Sequence, residues 1–129
     1  MIVVDASALV ELLLQTPRGI QVAVRLDGED AAAPELLDAE VLSAMARLER
    51  AGTIDRADAD AAVDVLESMP VTRVRHEVLN QRAWQLRDRI RIADGFYVAC
   101  GELFTSPLLT CDARLARAAL PGTAVLLVS

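Results

Sequence analysis

Apolar residues recur along the chain in two patterns, as short uninterrupted runs and as longer stretches with helical spacing. The first run, Ile2-Val3-Val4, is too short for a helix and is typical of a strand buried in a parallel sheet. The clearest helix is predicted over Glu35–Arg50, where apolar residues follow the spacing i, i+4, i+7 and i+11. Those positions are Leu37, Val41, Ala44 and Leu48.

Strand-like and helical stretches alternate along the whole chain. The predicted strands are 2–4, Ala31–Ala33, Val71–Val74, Pro107–Thr110 and Ala124–Val128. The predicted helices are Ser7–Leu14, 19–27, Glu35–Arg50, 55–68, 77–91, Ala113–Ala119 and one from Asp94 to about Phe104. In the helix 77–91 the buried stripe is Leu79, Ala83, Leu86 and Ile90. The alternation predicts an α/β fold, with a mostly parallel sheet of about four to five short strands and helices on both faces.

Composition narrows the class of protein. We expect the 129 residues to form one domain, 1–129, with a core that the 53% of hydrophobic residues can fill. Four aromatic residues are too few for a platform that stacks bases. The longest apolar runs are far short of a membrane span, and the strand directly after Met1 leaves no room for a signal peptide. Cys100 and Cys111 form neither a CxxC pair nor a disulfide framework, so we expect reduced thiols in a cytoplasmic protein.

The charged residues are 19 acidic and 13 basic, and every basic one is arginine. A net charge of −6 normally argues against binding nucleic acid, although bound divalent cations could offset part of it. Without lysine, the chain has no Walker-type phosphate loop and no lysine nucleophile. The single histidine, His76, excludes a two-histidine acid–base ribonuclease and any zinc site that needs two histidines.

Three aspartates are expected near one edge of the sheet. Asp5 follows strand 2–4 directly, Asp112 follows strand 107–110 after one residue, and Asp94 stands at the start of a helix. Taken singly, Asp94 and Asp112 are better explained as helix N-caps than as functional residues, since such a cap is worth about 1 kcal/mol over alanine. Asp5 is harder to explain structurally, because an aspartate in an apolar surround is costly to desolvate.

A fourth acid is expected from the helix Glu35–Arg50, where Asp38 and Glu40 occupy opposite shoulders of the apolar stripe. The helical wheel does not choose between them, although Asp38 is nearer the N-terminus and better suited to a structural role. Carboxylates that converge need a cation, and oxygen ligands suit Mg²⁺ or Mn²⁺. Such ions can activate water and stabilise the in-line displacement at a phosphodiester.

The order of these motifs resembles the VapC-type toxins of the PIN-domain ribonuclease family. The resemblance spans nearly the whole chain and rests on four stretches, Val3-Val4-Asp5-Ala6-Ser7-Ala8-Leu9-Val10, Pro34-Glu35-Leu36-Leu37-Asp38-Ala39-Glu40-Val41-Leu42, Ala93-Asp94-Gly95-Phe96-Tyr97-Val98-Ala99 and Leu109-Thr110-Cys111-Asp112-Ala113-Arg114-Leu115. Gly95 and the Cys100-Gly101 pair depart from the usual alanine- or leucine-like residues. Each motif alone is weak, and the four in order are specific.

The resemblance implies a three-layer PIN-like fold and a Mg²⁺- or Mn²⁺-dependent endoribonuclease. It implies that Asp5, Glu40, Asp94 and Asp112 form the catalytic and metal-binding set, with Glu40 rather than Asp38 as the family's second acid. It marks Ser7 as a neighbour of the site, whereas a helix N-cap is the structural alternative and the two roles could coexist. It further implies a homodimer, neutralised by a cognate antitoxin that binds near the active site.

Four arginines crowd the predicted helix 77–91 just before Asp94. We hypothesise that some of them hold RNA phosphates, and a solvated helix face partly paired with Asp88 is the structural alternative. The residues are Arg82, Arg87, Arg89 and Arg91.

Two other classes of protein remain open. A receiver module or haloacid-dehalogenase-like phosphatase also has an aspartate after a strand, but normally needs a lysine that this chain lacks. A non-catalytic interaction protein could keep the fold, but the acids at all four motif positions argue against lost chemistry.

Overall fold

A computed structural model describes residues 1–118, 120 and 122–129. These residues form five strands and seven α-helices that pack around them. The strands are β1 (Ile2–Val4), β2 (Ala31–Pro34), β3 (Val71–Val74), β4 (Leu108–Thr110) and β5 (Val125–Leu127). The helices are α1 (Ala6–Leu13), α2 (Pro17–Leu26), α3 (Leu36–Arg50), α4 (Arg56–Ser68), α5 (Asn80–Gln85), α6 (Ile92–Phe104) and α7 (Ala113–Arg117). Of the predicted last helix, Ala119 lies outside the described residues.

The five strands form one parallel sheet in the order β3-β2-β1-β4-β5, which confirms the predicted α/β fold. Val3 of β1 is paired with Ala32 on one side and Leu108 on the other, so β1 lies at the centre. From β1 the chain first continues to β2 and later returns to β4 on the opposite side. Open α/β sheets bind ligands where the strand order reverses in this way, beyond the carboxyl ends of the strands. Asp5 follows β1 at that point.

The central strands are fully buried, as their continuous apolar sequence predicts. Val3, Val4, Leu108 and Leu109 have no exposed surface and belong to one hydrophobic core with side chains of the flanking helices. Helix α1 packs on α2 and α3, while α5 packs on α6. In the described part of the chain, no helix is both long enough and apolar enough to cross a bilayer.

The predicted helix 77–91 is wrong as a continuous element. A 3₁₀ turn (His76–Val78), the short helix α5 and a series of turns occupy this segment. All four residues of the predicted stripe are nevertheless buried, because successive turns also return a side chain to the core every three or four residues. After α5 the hydrogen bonds tighten, since the amide of Arg89 donates to the carbonyl of Leu86 rather than to one four residues back.

Candidate active site

Asp5 is buried at the junction of β1 and α1, with 5% of its surface exposed. Its Oδ1 accepts hydrogen bonds from the amide of Ala8 at 3.0 Å and the hydroxyl of Ser7 at 2.7 Å, and its Oδ2 accepts one from the hydroxyl of Thr110. Burial raises the pKa of Asp5 to about 6, against the opposing effect of these three hydrogen bonds. Asp112 adds a smaller upward contribution to that pKa.

Two hydroxyls connect the ends of β1 and β4 through this carboxylate. The Ser7 hydroxyl accepts from the amide of Cys111 at 3.0 Å, and the Thr110 hydroxyl accepts from the amide of Asp112 at 2.9 Å. The N-cap of α1 is therefore Asp5, and the N-cap alternative for Ser7 is wrong. Thr110 is a site residue that the sequence interpretation missed, although its place two residues before Asp112, at the end of a buried strand, was a usable signal.

Asp94 and Asp112 share a single cation. One guanidinium nitrogen of Arg114 lies 3.0 Å from Oδ2 of Asp94 and 2.8 Å from Oδ2 of Asp112. Asp94 is almost fully buried in the first turn of α6 and also accepts from Arg91 at 3.3 Å. The N-cap of α6 is Arg91, so the capping alternative for Asp94 is wrong. Asp112 does cap α7, since its Oδ1 accepts from the amide of Arg114 at 2.9 Å.

The structure separates Glu40 from Asp38. Glu40 accepts a 2.7 Å hydrogen bond from the hydroxyl of Tyr97 on α6, whereas Asp38 makes a two-point ion pair with Arg73 on β3 at 2.8 and 3.2 Å. Burial and the neighbouring Glu40 carboxylate raise the pKa of Tyr97, which therefore remains a proton donor to Glu40. Tyr97 is a second residue that sequence interpretation missed, because its motif also fits an ordinary core aromatic.

The four carboxylates occupy one edge of the fold but do not form a preformed ligand shell. Within residues 1–118, 120 and 122–129, no three acidic, histidine or cysteine side chains lie close enough together to hold a metal ion. Asp5 is occupied by hydroxyl and amide donors, Glu40 by Tyr97, and the other two acids by Arg114. The donor chemistry does fit Mg²⁺ or Mn²⁺, because Asp94 and Asp112 already share one cation through carboxylate oxygens.

A groove of about 720 Å³ lies beside Ser7 and Glu40. Three arginines line it, namely Arg18 of α2, Arg47 of α3 and Arg91 at the N-cap of α6. Arg18 is paired with Glu11 at 2.7 Å, whereas Arg47 makes no ion pair with a described residue. Sequence interpretation missed both, because neither lies near an acidic motif in the sequence.

The four arginines predicted to bind RNA line two hollows, and Arg89 belongs to both. Arg82 is paired with Glu102 at 2.7 Å, and Arg87 lies over the ring of Trp84 at 4.3 Å. Arg87, Arg89 and Arg91 line a second hollow, which lies beside α7. Asp88 forms no ion pair with a described residue, so the structural alternative is wrong in pairing it with these arginines.

Comparisons with known proteins agree on one family. The PIN domain family model matches residues 2–120. The chain is 47% identical over 118 residues to Ribonuclease VapC3 of Mycobacterium tuberculosis, covering 91% of this chain and 86% of that protein. It is 45% identical to Ribonuclease VapC12 of the same organism, covering 91% of each.

Solved structures show the same fold at much lower identity. FitAcB from Neisseria gonorrhoeae superposes with a TM-score of 0.70 at 21% identity, covering 98% of this chain and 96% of that one. VapBC2 from Rickettsia felis, solved bound to a DNA fragment from its promoter, gives 0.69 at 11% identity, with all of both chains covered.

Proposed function

The chain belongs to the PIN domain family, and on that premise we propose that it is an endoribonuclease, the toxin of a toxin–antitoxin pair. Its substrate is RNA, whose phosphodiester bonds it hydrolyses. The observation that carries the proposal is the convergence of four acids. Asp5 and Asp112 follow the adjacent strands β1 and β4, Arg114 links Asp94 to Asp112, and Tyr97 lies near both Glu40 and Asp5. The relatives named Ribonuclease VapC3 and VapC12 support the ribonuclease activity.

Each residue of the site has a different role in the proposed hydrolysis. Water attacks the phosphorus atom, and the P–O bond opposite the attacking oxygen breaks. Mg²⁺ or Mn²⁺, when bound, supplies positive charge beside the phosphate and acidifies the water. Asp94 and Asp112, which now share the Arg114 guanidinium, would hold that ion, and Asp5 would lie beside them.

Glu40 is suited to accept the proton from the attacking water. Tyr97 holds its Oε1, and the side chain lines the groove, within reach of solvent. Ser7 and Thr110 orient Asp5 rather than react, because both donate to that carboxylate.

The wider setting is part of the same proposal. Residues 1–129 act as one nuclease domain in the cytoplasm, where both free cysteines remain reduced. A cognate antitoxin binds near the active site. The protein forms a homodimer, which the exposed apolar side chains of Trp84, Ile92 and Leu103 favour.

Incubating the purified protein with RNA, with and without Mg²⁺ or Mn²⁺, tests the activity. We expect cleavage that is lost on chelation and reduced at least 100-fold in Asp94→Asn and Glu40→Gln, since each removes one charge from the site. Asp38→Asn is the matched control on the same helix and should keep its activity, because Asp38 is paired with Arg73. Cleavage that survives both chelation and Asp94→Asn would refute the mechanism.

The toxin role has a separate test. A small neighbouring gene for a DNA-binding protein should encode an antitoxin whose co-expression restores growth to cells that the chain arrests. Growth arrest that persists with Asp94→Asn would contradict a role through RNA cleavage.

A further inference from the structure

A second hollow, of about 520 Å³, is lined in part by Arg91 and Arg114, which pair with acids of the candidate site. Five of the chain's 13 basic residues line it. They are Arg87, Arg89, Arg91, Arg114 and Arg117. We call this region the arginine hollow.

The arginine hollow is positively charged within an acidic chain. Its lining, within the described residues, includes only one acid, Asp88, whereas the whole chain carries a net charge of −6. Asp94 and Asp112 offset the charges of Arg91 and Arg114, with which they pair. Arg89 and Arg117 are exposed and form no ion pair with any described residue. Unpaired guanidinium groups gathered at one place attract an anion, whatever the net charge of the molecule.

The arginine hollow and the groove meet at the cleavage carboxylates. Arg91 lines both, and it also bonds to Asp94. Arg114 lines the hollow and bonds to both Asp94 and Asp112. A strand that passes these carboxylates therefore has the groove with Glu40 on one side and the arginine hollow on the other.

We propose that the arginine hollow holds phosphates of the RNA strand on one side of the cleavage site, with Arg89 and Arg117 as contacts. This inference rests on the proposed ribonuclease function and adds the path of the substrate. It excludes Arg82, which Glu102 engages through two hydrogen bonds. It adds Arg117, which lies far from Arg89 in the sequence and lines the same hollow only in the folded chain.

An anionic polymer suits the hollow better than a single phosphate does. The two unpaired guanidinium groups come from different elements, the turn after α5 and helix α7, so they can bind successive phosphates. An acidic protein segment is the other occupant with this chemistry. The continuity of the hollow with the cleavage carboxylates favours RNA.

Binding of a fluorescein-labelled single-stranded RNA of mixed sequence, followed by anisotropy across a range of salt concentrations, tests the proposal. The parent protein carries Asp5→Asn, which prevents cleavage and keeps an oxygen to cap α1. We expect Arg89→Ala/Arg117→Ala to bind about tenfold more weakly at low salt, with the salt slope smaller by about 1.4, which corresponds to two phosphate contacts. Lysine at both positions should restore most of the slope.

The matched control is Arg25→Ala/Arg56→Ala, which removes the same charge from exposed positions of α2 and α4. It should leave the affinity nearly unchanged. Equal losses of RNA affinity in both double variants, or no loss in Arg89→Ala/Arg117→Ala, would overturn the proposal. A labelled peptide rich in aspartate and glutamate is the second probe. If Arg89→Ala/Arg117→Ala weakens binding of that peptide but not of the RNA, the proposal is also overturned. If the unsubstituted protein cleaves RNA while Arg89→Ala/Arg117→Ala binds RNA with unchanged affinity, the proposed role of the arginine hollow is refuted and the ribonuclease function stands. Absence of both cleavage and binding would overturn both.

Discussion

At the scale of single residues, Asp5 shows burial and hydrogen bonding acting in opposite directions on one carboxyl group. Three donors favour the ionised form, yet loss of solvent outweighs them and raises the pKa from 3.8 to about 6. The folded protein therefore binds the proton more tightly than the unfolded chain does. It follows that this group stabilises the fold below about pH 4, and that the contribution is lost as the pH rises through 6.

We expect the metal-free protein to lose about 2 kcal/mol of unfolding free energy from this group between pH 4 and pH 7, because each pKa unit of the full shift is worth about 1.36 kcal/mol and the unfolded group is already partly ionised at pH 4. Asp5→Asn removes the titrating group and keeps the cap, so the variant should gain stability relative to the parent as the pH rises. Urea unfolding in a chelating buffer across this pH range measures the difference. Parallel curves for the two proteins would contradict the prediction.

Arg114 is a second residue whose role depends on the state of the site. Its guanidinium contacts both Asp94 and Asp112, so in the proposed metal site it competes with the divalent cation for the same carboxylate oxygens. Arg114→Gln should therefore bind Mn²⁺ about tenfold more tightly by calorimetry, since a tenfold change corresponds to about 1.4 kcal/mol. Arg117→Gln, on the same helix but without a carboxylate partner, should not change the affinity. Weaker Mn²⁺ binding in Arg114→Gln would show that the arginine supports the ion instead.

At the scale of elements, the close contact between α1 and α2 depends on Gly19. The sequence predicts a helix that begins at this glycine, whereas α2 begins at Pro17, so Gly19 lies within its first turn and against the backbone of α1. A Cβ atom at Gly19 would lie 2.0 Å from the carbonyl oxygen of Glu11. Helix propensity alone would favour alanine by about 1 kcal/mol, whereas overpacking a core contact costs about 1 to 3 kcal/mol or more. The steric clash should outweigh the gain in helix propensity, so the net change in unfolding free energy should be destabilising.

We therefore expect Gly19→Ala to destabilise the protein by about 2 kcal/mol or more, seen as a lower urea midpoint. Gly95→Ala is the graded control, because its Cβ would meet the carbonyl oxygen of Ala83 at 3.1 Å, which a small shift can relieve. Its effect should be smaller. A neutral or stabilising Gly19→Ala would mean that α1 and α2 separate easily.

The elements also show why sequence patterns predicted some features and missed others. Hydrophobic periodicity identifies which residues are buried, so Leu79 and Ile90 were correctly assigned to the core. It does not report whether the backbone between them keeps its helical hydrogen bonds, so the turns after Gln85 were missed. Thr110 and Tyr97 were missed for another reason. Their roles come from contacts with Asp5 and Glu40 that are more than 50 residues away in sequence.

At the scale of the whole molecule, the net charge of −6 gives a poor picture of the local field. The predicted parallel sheet was enough to place Asp5 and Asp112 at one edge, because parallel strands end at the same side of a sheet. The arginine hollow could not be predicted in the same way. Arg89 lies in the turn after α5 and Arg117 in α7, and no sequence pattern shows that these two elements come together. A chain that is acidic on average can therefore still present a basic surface beside its carboxylates.

The difference between local charge and net charge allows specific cation binding to be distinguished from general screening of an acidic chain. An ion that binds only the folded state at 100 times its dissociation constant adds about 2.7 kcal/mol, which for a chain of this size raises the melting temperature by roughly 10 °C. We expect that shift for the unsubstituted protein in Mn²⁺, and for Asp38→Asn, whose carboxylate is already paired with Arg73. Asp94→Asn should lose most of it, and sodium chloride of equal ionic strength should reproduce little of it, because monovalent salt screens the whole surface alike. If Asp94→Asn melts with the full Mn²⁺ shift, or salt alone gives the same rise, the cation acts on the overall charge and the carboxylate edge does not hold it.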